Sequence, residues 1–291
     1  MKLLWWTSFR SFGISHDNDN TQRIFLNSIR NLKNTTLIVT QFGEKGVQKN
    51  LISHNIKYIF KNANKNILPP GEKFSNKIMC HNALVEYCKK NSNYDYLVYS
   101  TCDIFVSENL IKVLNKIKLK NFMGYVFPNV LVKNGKLLKN VFPLYGIDII
   151  VFKLNKNLAK KFLKLNYDWE QYGWGINEHY LMSMKKALDI PSINLWKYMD
   201  IIKFENDFMG LNESRARQIS DWVKNKNYLL KYLKKNKLST LWANGSYYYI
   251  IYKHFSFKFL SLGLLLNYML LFFQAPLIFL YKILRIKNYI K

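Results

Sequence analysis

The stretch YDYLVYSTCDIFV, residues 94–106, indicates the fold class of the whole chain. Its first half is a continuous run of aromatic and β-branched residues, which is typical of a buried strand. The run ends in a polar cluster of Ser100, Thr101, Cys102 and Asp103, after which apolar residues resume. Ligands of open α/β sheets bind at the carboxyl ends of the strands, so Asp103 is the first candidate functional residue. The alternative is that Asp103 caps the next element or lies in a turn.

Strand patterns and helix patterns alternate on both sides of this stretch. Further strands are predicted at 3–7, 36–41, 56–60, 122–127, 130–132 and 144–152, and helices at 21–32, 47–53, 75–90, 108–117 and 158–165. Residues 8–20 are expected to form a polar loop, and 133–136 a hairpin turn. Strands that alternate with helices predict parallel βαβ units. The expected fold is therefore an α/β fold whose mostly parallel sheet, flanked by helices, becomes mixed in its second half.

The composition narrows the class of partner. Of the 291 residues, 49% are hydrophobic and 16% aromatic, which excludes a disordered chain. The net charge of +26 predicts an anionic partner, which could be a nucleic acid, an anionic membrane or a phosphorylated small molecule. No compact nucleic-acid-binding motif accompanies the lysines, so a nucleic acid is not the expected partner. The three cysteines lack metal-ligand spacing and indicate a reducing compartment.

The C-terminal part of the chain has a different composition. Residues 224–237 are basic with interleaved apolar side chains, and residues 259–281 carry no charge. A membrane-spanning helix needs about 20 apolar residues, so the second segment is long enough. An interfacial or re-entrant element, a true span and a buried helix all remain open. We therefore predict a domain at 1–205 and a helical, membrane-associating region at 206–291, with the attachment at about 255–282.

A second chemically unusual stretch is DWEQYGWGINEHYL, residues 168–181. Glycines beside tryptophans suggest a tight turn with a flat aromatic wall, and a carboxylate opens the helix that follows. The stretch predicts a pocket wall formed by Trp174 that bears a functional carboxylate, Glu178. The alternative is a purely structural aromatic turn.

The order of these pieces resembles the GT-A class of nucleotide-sugar glycosyltransferases over about residues 1–205. In that class a helix carrying an asparagine precedes a strand that ends in an Asp-x-Asp motif. Here Asn82 lies on the predicted helix, and the motif takes the degenerate form Thr101-Cys102-Asp103, with Thr101 in place of the first aspartate. The segment around Asp148 resembles a later Gly-x-Asp strand of that class. The region around Glu178 resembles the Gly-Trp-Gly segment of the class, in which an acidic residue follows.

The resemblance implies a Rossmann-related fold and the transfer of a sugar from a nucleotide-sugar donor. It implies that Glu178 is the base of an inverting reaction and that Asp148 orients hydroxyl groups, while a retaining reaction stays open. The implied donor-binding residues are Thr7, Arg10, Lys77, Asn82, Thr101, Asp103 and Trp174. Asp103 would hold Mn²⁺ or Mg²⁺, because the leaving nucleoside diphosphate develops negative charge. The alternative is that cationic side chains such as Arg10 and Lys77 replace the metal.

Together these patterns predict a membrane-associated glycosyltransferase at the cytoplasmic face. Its expected acceptor is lipid-linked or part of a surface glycan, because a membrane-seeking tail would bring the catalytic domain to such a substrate. The alternative is a non-catalytic GT-A-like scaffold or binding protein at the membrane, since the first motif aspartate is replaced.

Overall fold

The protein is described by a computed structural model. It covers residues 1–63, 76–126, 130–133, 136–139, 147–167, 181, 184–185, 187–195, 198–199, 201–205, 230–231 and 234–235. The chain divides into two compact units, Met1–Trp169 with Leu188–Phe208 and Glu170–Ala187 with Met209–Lys291. In the second unit, the described residues include two that are buried, Leu181 and Met184. The sheets and the candidate site belong to the first unit.

The centre of the first unit is a mostly parallel sheet, which has seven strands among the described residues. In sheet order these are β10 (Ser192–Asn194), β6 (Phe122–Val126), β9 (Ile149–Lys153), β4 (Tyr96–Ser100), β1 (Leu3–Trp6), β2 (Thr35–Gln41) and β3 (Tyr58–Asn62). The strands β4, β1, β2 and β3 run parallel to one another, as β10 does to β6. The exception is β9, which is antiparallel to both of its neighbours.

A second, smaller sheet has four strands in the described part of the chain. Its strands, in sheet order, are β5 (Ile104–Val106), β11 (Ile201–Glu205), β7 (Val130–Lys133) and β8 (Lys136–Lys139). The helices are α1 (His16–Asn31), α2 (Val47–Ser53), α3 (Asn76–Cys88), α4 (Asn109–Lys116) and α5 (Lys156–Tyr167). The expected mixed α/β fold with a mostly parallel sheet and flanking helices is confirmed.

The central strands form because their apolar residues are buried on both faces of the sheet. All four residues of β1 and all five of β4 are buried. Helices that cross over between parallel strands cover both faces, so such strands carry continuous rather than alternating apolar sequence. The core includes Trp5, Leu37, Val98 and Val151, one from each of four neighbouring strands.

The polar cluster 100–103 marks a change of sheet. Strand β4 ends at Ser100 as predicted, and the apolar run that resumes at Ile104 is a strand of the smaller sheet. The backbone changes partners between the two strands: the amide of Thr101 donates to the carbonyl of Asp148 (3.3 Å), whereas the carbonyl of Asp103 accepts from the amide of Phe204 (2.8 Å). Both sheets therefore hold the loop that carries Asp103.

One sequence prediction about local structure was wrong. The region 8–20 is not a loop throughout, because helix α1 already begins at His16. The Ser15 side chain caps this helix by accepting from the amide of Asn18 (3.5 Å). Acidic residues in the first turn, Asp17 and Asp19, are favourable at the positive end of the helix dipole. The polar composition of 8–20 thus reflects a helix start as well as a loop.

Other predicted boundaries are close to the observed ones. The hairpin at 133–136 is confirmed, since Lys133 pairs with Lys136 across antiparallel strands. The third strand is Tyr58–Asn62 rather than 56–60. Within the described residues, the strand predicted at 144–152 begins at Ile149.

The segment predicted to associate with a membrane, 259–281, lies outside the described residues, as does most of 224–237. None of the helices among the residues that are described combines the length and apolar character required to cross a bilayer.

Candidate active site at the carboxyl edge of the sheet

The carboxyl ends of the parallel strands bring polar residues to one edge of the central sheet. Thr7 follows β1, Thr40 lies near the end of β2, and Thr101 follows β4. The strand register places these threonines close together. Trp6, which precedes Thr7, pairs with Ile38 and Tyr99, and these lie two residues before Thr40 and Thr101. This is the edge at which ligands bind in open α/β sheets.

Antiparallel pairing brings Asp148 to the same edge. Strand β9 starts where β4 ends, with Ser100 opposite Ile149. The residue before β9, Asp148, therefore lies beside the residue after β4, Thr101. The Thr101 hydroxyl donates to Asp148 Oδ1 over 3.4 Å, in addition to the backbone bond between the same two residues.

The smaller sheet adds a lysine to this pair. Strand β11 is antiparallel to β5, and Lys203 is opposite Ile104, the residue that follows Asp103. The Lys203 ammonium donates to Asp148 Oδ1 at 2.6 Å and lies 3.5 Å from Asp103 Oδ2. Asp103, Asp148 and Lys203 together form a charged trio.

Burial differs sharply between the two carboxylates of the charged trio. The side chain of Asp148 is 4% exposed and that of Lys203 15%, whereas that of Asp103 is 38% exposed. Asp103 is thus the carboxylate that a ligand can reach. Asp148 lies behind it and holds both Lys203 and Thr101 in place.

Burial also changes the protonation of Asp148. Loss of solvation raises the pKa of Asp148 to about 6, and the neighbouring Asp103 carboxylate adds to the rise. The Lys203 ammonium and the hydrogen bonds from Lys203 and Thr101 favour the ionised form and offset only part of this effect. The ion pair with Lys203 therefore exists at a site where ionising the carboxyl group costs free energy.

The stability of the protein should depend on pH through Asp148. The folded protein keeps this proton up to about pH 6, whereas the ordinary pKa of an aspartate side chain is about 3.9, so the folded state binds more protons in between. Stability contributed by this group is present below about pH 4 and falls as pH rises through about 6. We expect the free energy of unfolding of the wild type, relative to that of Asp148→Asn, to fall by roughly 3 kcal/mol over that interval.

Chemical denaturation at a series of pH values measures this difference. Asp95→Asn is the matched control, because Asp95 precedes the amino end of the same strand, β4, and its side chain is 52% exposed. A relative stability of the wild type that rises with pH would contradict the assignment, since that is the behaviour of a carboxyl group whose pKa is lowered by folding.

The loop after β1 is tied to the loop that carries Asp103 through Gln22 of α1, which is buried. The Gln22 side chain accepts from the amide of Arg10 (2.7 Å) and donates to its carbonyl (3.3 Å). The thiol of Cys102 donates to Gln22 Oε1 over 3.7 Å. One side chain thus connects the loop that carries Arg10 to the loop that carries Asp103.

The surroundings of Cys102 disfavour the thiolate form of its side chain. Burial, reinforced by the Asp103 carboxylate, raises the pKa of its thiol to about 12, while the Arg10 and Lys203 cations act in the opposite direction. The protonated thiol is the unreactive form.

The other predicted donor-binding residues have separate positions. Asn82 on α3 donates to the Thr40 hydroxyl at 2.9 Å, which places it at the carboxyl end of β2. Thr7 is 1% exposed, and its hydroxyl lacks a hydrogen-bond partner in the described structure. Lys77 lies in the first turn of α3, where its backbone carbonyl accepts from Asn166 of α5 (3.3 Å). Trp174 and Glu178 lie outside the described residues.

The sequence reasoning did not find Lys203 or Gln22. A signal for Lys203 was present, since IIKF at 201–204 places one cation among apolar residues of a strand, and a charge at such a position needs a partner. For Gln22 the sequence holds no comparable signal, because a polar residue near the start of a helix is ordinary. Its role follows only from the position of α1 against two loops.

A divalent cation at Asp103, which the resemblance implies, can be tested against this geometry. Asp103 Oδ1 and Asp148 Oδ2 are buried and have no hydrogen-bond partner among the described residues, so they are suitable hard ligands. The Lys203 ammonium, however, already lies against the other two oxygens of the pair. No group of three or more acidic, histidine or cysteine side chains in the described ranges could hold a metal. While Lys203 is in place, the described residues of this edge do not fit a metal ion.

Fold and site together define an α/β domain with paired carboxylates at the carboxyl edge of a mostly parallel sheet. No protein-family model matches the chain, and no curated protein matches its sequence.

Solved structures do match. Residues 1–349 of S. aureus TarS, in complex with UDP-GlcNAc, are similar with a TM-score of 0.53 and 12% identity, over 88% of this chain and 73% of that one. The inositol-1-phosphate CTP transferase from T. maritima matches with a TM-score of 0.42 and 13% identity, over 74% of this chain and 93% of that one. The similarity to TarS shows a shared fold.

Proposed function

We propose that this chain is a glycosyltransferase that transfers a sugar from a nucleotide-sugar donor. The observation that carries the proposal is the convergence of Asp103, Asp148 and Lys203 at the carboxyl edge of the sheet. The fold shared with TarS supports it, because the TarS structure contains the nucleotide sugar UDP-GlcNAc. The motif resemblance from Asn82 to Glu178 supports the same class.

The residues proposed to bind the sugar donor lie in the described part of the chain. Asp103 is the accessible carboxylate, so it is suited to accept hydrogen bonds from donor hydroxyl groups. Arg10 is tied to the same loop through Gln22 and supplies a cation for the diphosphate. Asp148 is a positioning residue, since its buried carboxyl group contacts Lys203 and Thr101.

The acceptor side rests on the stretch 168–181. We assign Glu178 as the base that takes the proton of the acceptor hydroxyl as it attacks the anomeric carbon, which corresponds to inversion. Trp174 offers an aromatic face for the C–H surface of a sugar. Both assignments derive from the motif resemblance.

The proposed acceptor is lipid-linked or part of a surface glycan, and the proposed location is the cytoplasmic face of a membrane. The basic run 224–237 and the uncharged run 259–281 support this location. Each basic group near an anionic leaflet contributes about 1 kcal/mol of attraction. The tail would then hold the enzyme at the membrane that carries the acceptor.

Calorimetry with a panel of nucleotide sugars, beginning with UDP-GlcNAc, tests the donor assignment. We expect one donor to bind the wild type, and Asp103→Asn to weaken that binding roughly 10- to 100-fold, because hydrogen bonds to a charged acceptor are lost. Asp95→Asn at the opposite end of β4 should bind like the wild type. Release of the nucleotide during incubation with a donor then reports turnover.

The same panel distinguishes the enzyme from a scaffold. Donor binding without turnover, in the presence of a range of lipid and glycan acceptors, would favour a non-catalytic binding protein. No binding of any nucleotide or nucleotide sugar would contradict the proposed function.

A further inference from the structure

We propose that Lys203, together with Arg10, is the resident cation of this site and takes the place of a divalent metal ion opposite the nucleoside diphosphate. The statement about the charged trio stands on its own geometry. The statement about the diphosphate rests on the proposed function.

The ammonium group of Lys203 lies between the two carboxylates. Lys203 Nζ lies 2.6 Å from Asp148 Oδ1 and 3.5 Å from Asp103 Oδ2, so it bridges the two carboxylates. A magnesium ion would need oxygen ligands at about 2.0–2.1 Å in octahedral arrangement. An ammonium group and a divalent ion repel each other and cannot share these oxygens. The lysine has the position that a metal bridging the pair would take.

The backbone fixes this position of Lys203. Lys203 is held in the β11 ladder, opposite the residue that follows Asp103. The amide of the next residue, Phe204, donates to the carbonyl of Asp103 itself (2.8 Å). Moving Lys203 away from the carboxylates would leave a largely buried cation without its partners, which is costly. The ammonium is therefore part of the resting site.

Two cations of the chain balance the charge of the two carboxylates. A metal-dependent site with two carboxylates sets two positive charges on one ion against two negative charges. Here Lys203 and Arg10 provide two positive charges. Both cations favour a lower pKa of Cys102, which lies between Thr101 and Asp103 in the same loop. Two hydrogen bonds join the Arg10 backbone to the Gln22 side chain, which also accepts from the Cys102 thiol, so the loop that carries Arg10 is tied to the loop that carries Asp103. The chain thus supplies the charge that would otherwise come from a divalent ion.

Manganese binding can be measured by electron paramagnetic resonance with Mn²⁺ alone and the full chain. The wild type should not bind Mn²⁺ at the acidic pair. Lys203→Met should acquire a Mn²⁺ site, because it removes the ammonium from Asp103 Oδ2 and Asp148 Oδ1. These oxygens then join Asp103 Oδ1 and Asp148 Oδ2, which have no hydrogen-bond partner among the described residues. The added substitution Asp103→Asn should remove that site again.

Matched variants control for the loss of a lysine as such. Lys153→Met removes a lysine at the far end of β9, where its ammonium lies over the Tyr96 ring, and should not create a Mn²⁺ site. Lys203→Arg keeps the positive charge and should also remain without one. Circular dichroism checks that each variant is folded, and a rise in the melting temperature of Lys203→Met on addition of Mn²⁺ would confirm specific binding.

Calorimetry with UDP tests the second half of the inference. The wild type should bind UDP equally well in EDTA and in Mn²⁺. Lys203→Met in EDTA should bind UDP roughly 10- to 100-fold more weakly, since a charged donor is lost, and Mn²⁺ should restore the affinity.

The outcomes separate the inference from the proposed function. Mn²⁺ binding by the wild type that Asp103→Asn removes would overturn the inference, as would UDP binding that EDTA abolishes. If neither UDP nor any other nucleotide binds, the proposed function fails while the manganese measurement still decides the role of Lys203. If Lys203→Met does not fold, the wild-type measurements with Mn²⁺ and EDTA alone support or overturn the inference.

Discussion

Replacing Trp5 with alanine is expected to lower the free energy of unfolding by roughly 3–5 kcal/mol, the range for removing a large aromatic side chain from a packed core. Trp5 is fully buried in β1, between β2 and β4. Its ring packs edge-on against Phe25 of α1, with 6.3 Å between the ring centroids. Its indole N–H donates to the Ser100 hydroxyl at 2.8 Å. The substitution removes the core contact and the hydrogen bond together.

Chemical denaturation followed by circular dichroism measures this loss. Ser100→Ala separates the two contributions, because it keeps the Trp5 ring and leaves only the indole N–H unpaired, at a cost of about 1–3 kcal/mol. A loss below about 1 kcal/mol for Trp5→Ala would contradict the description of the core. Ser100 immediately precedes the loop 101–103, so Trp5 also anchors the strand end that carries the site.

Replacing Lys203 with methionine is expected to destabilise the protein by roughly 3–5 kcal/mol at neutral pH, because it leaves the buried Asp148 carboxylate without its counter-charge. The double variant Lys203→Met/Asp148→Asn should recover most of this loss, since the uncompensated charge is then absent. The pair should therefore show strong coupling in a double-mutant cycle. Denaturation of the four proteins under identical conditions gives the coupling free energy.

The pH dependence of this cycle provides its control. Loss of solvation raises the pKa of Asp148 to about 6, so the carboxyl group is neutral well below that pH and no longer needs the lysine. The destabilisation caused by Lys203→Met should consequently shrink as the pH is lowered below about 5. A loss that does not change with pH would mean that the methylene stem of Lys203, rather than its charge, is responsible.

Much of the central sheet could be predicted because its signals are local. Continuous apolar runs in β1, β2 and β4 predict buried parallel strands, and the polar residues that follow β4 correctly mark its end. The start of α1 was missed although its signal is also local. Ser15 with Asp17 and Asp19 forms a recognisable helix start, but the number of polar residues in this region favoured a loop.

The site could be predicted only in part for a different reason. The sequence by itself determined that two carboxylates, Asp103 and Asp148, lie next to strands, because each adjoins an apolar run. Only the tertiary structure decided that they meet, since this depends on antiparallel pairing of β9 with β4. The pairing of β11 with β5 then brings Lys203 between them from about one hundred residues away. Sequence patterns report which face of an element is buried, whereas the partner of a buried charge is set by contacts between distant strands.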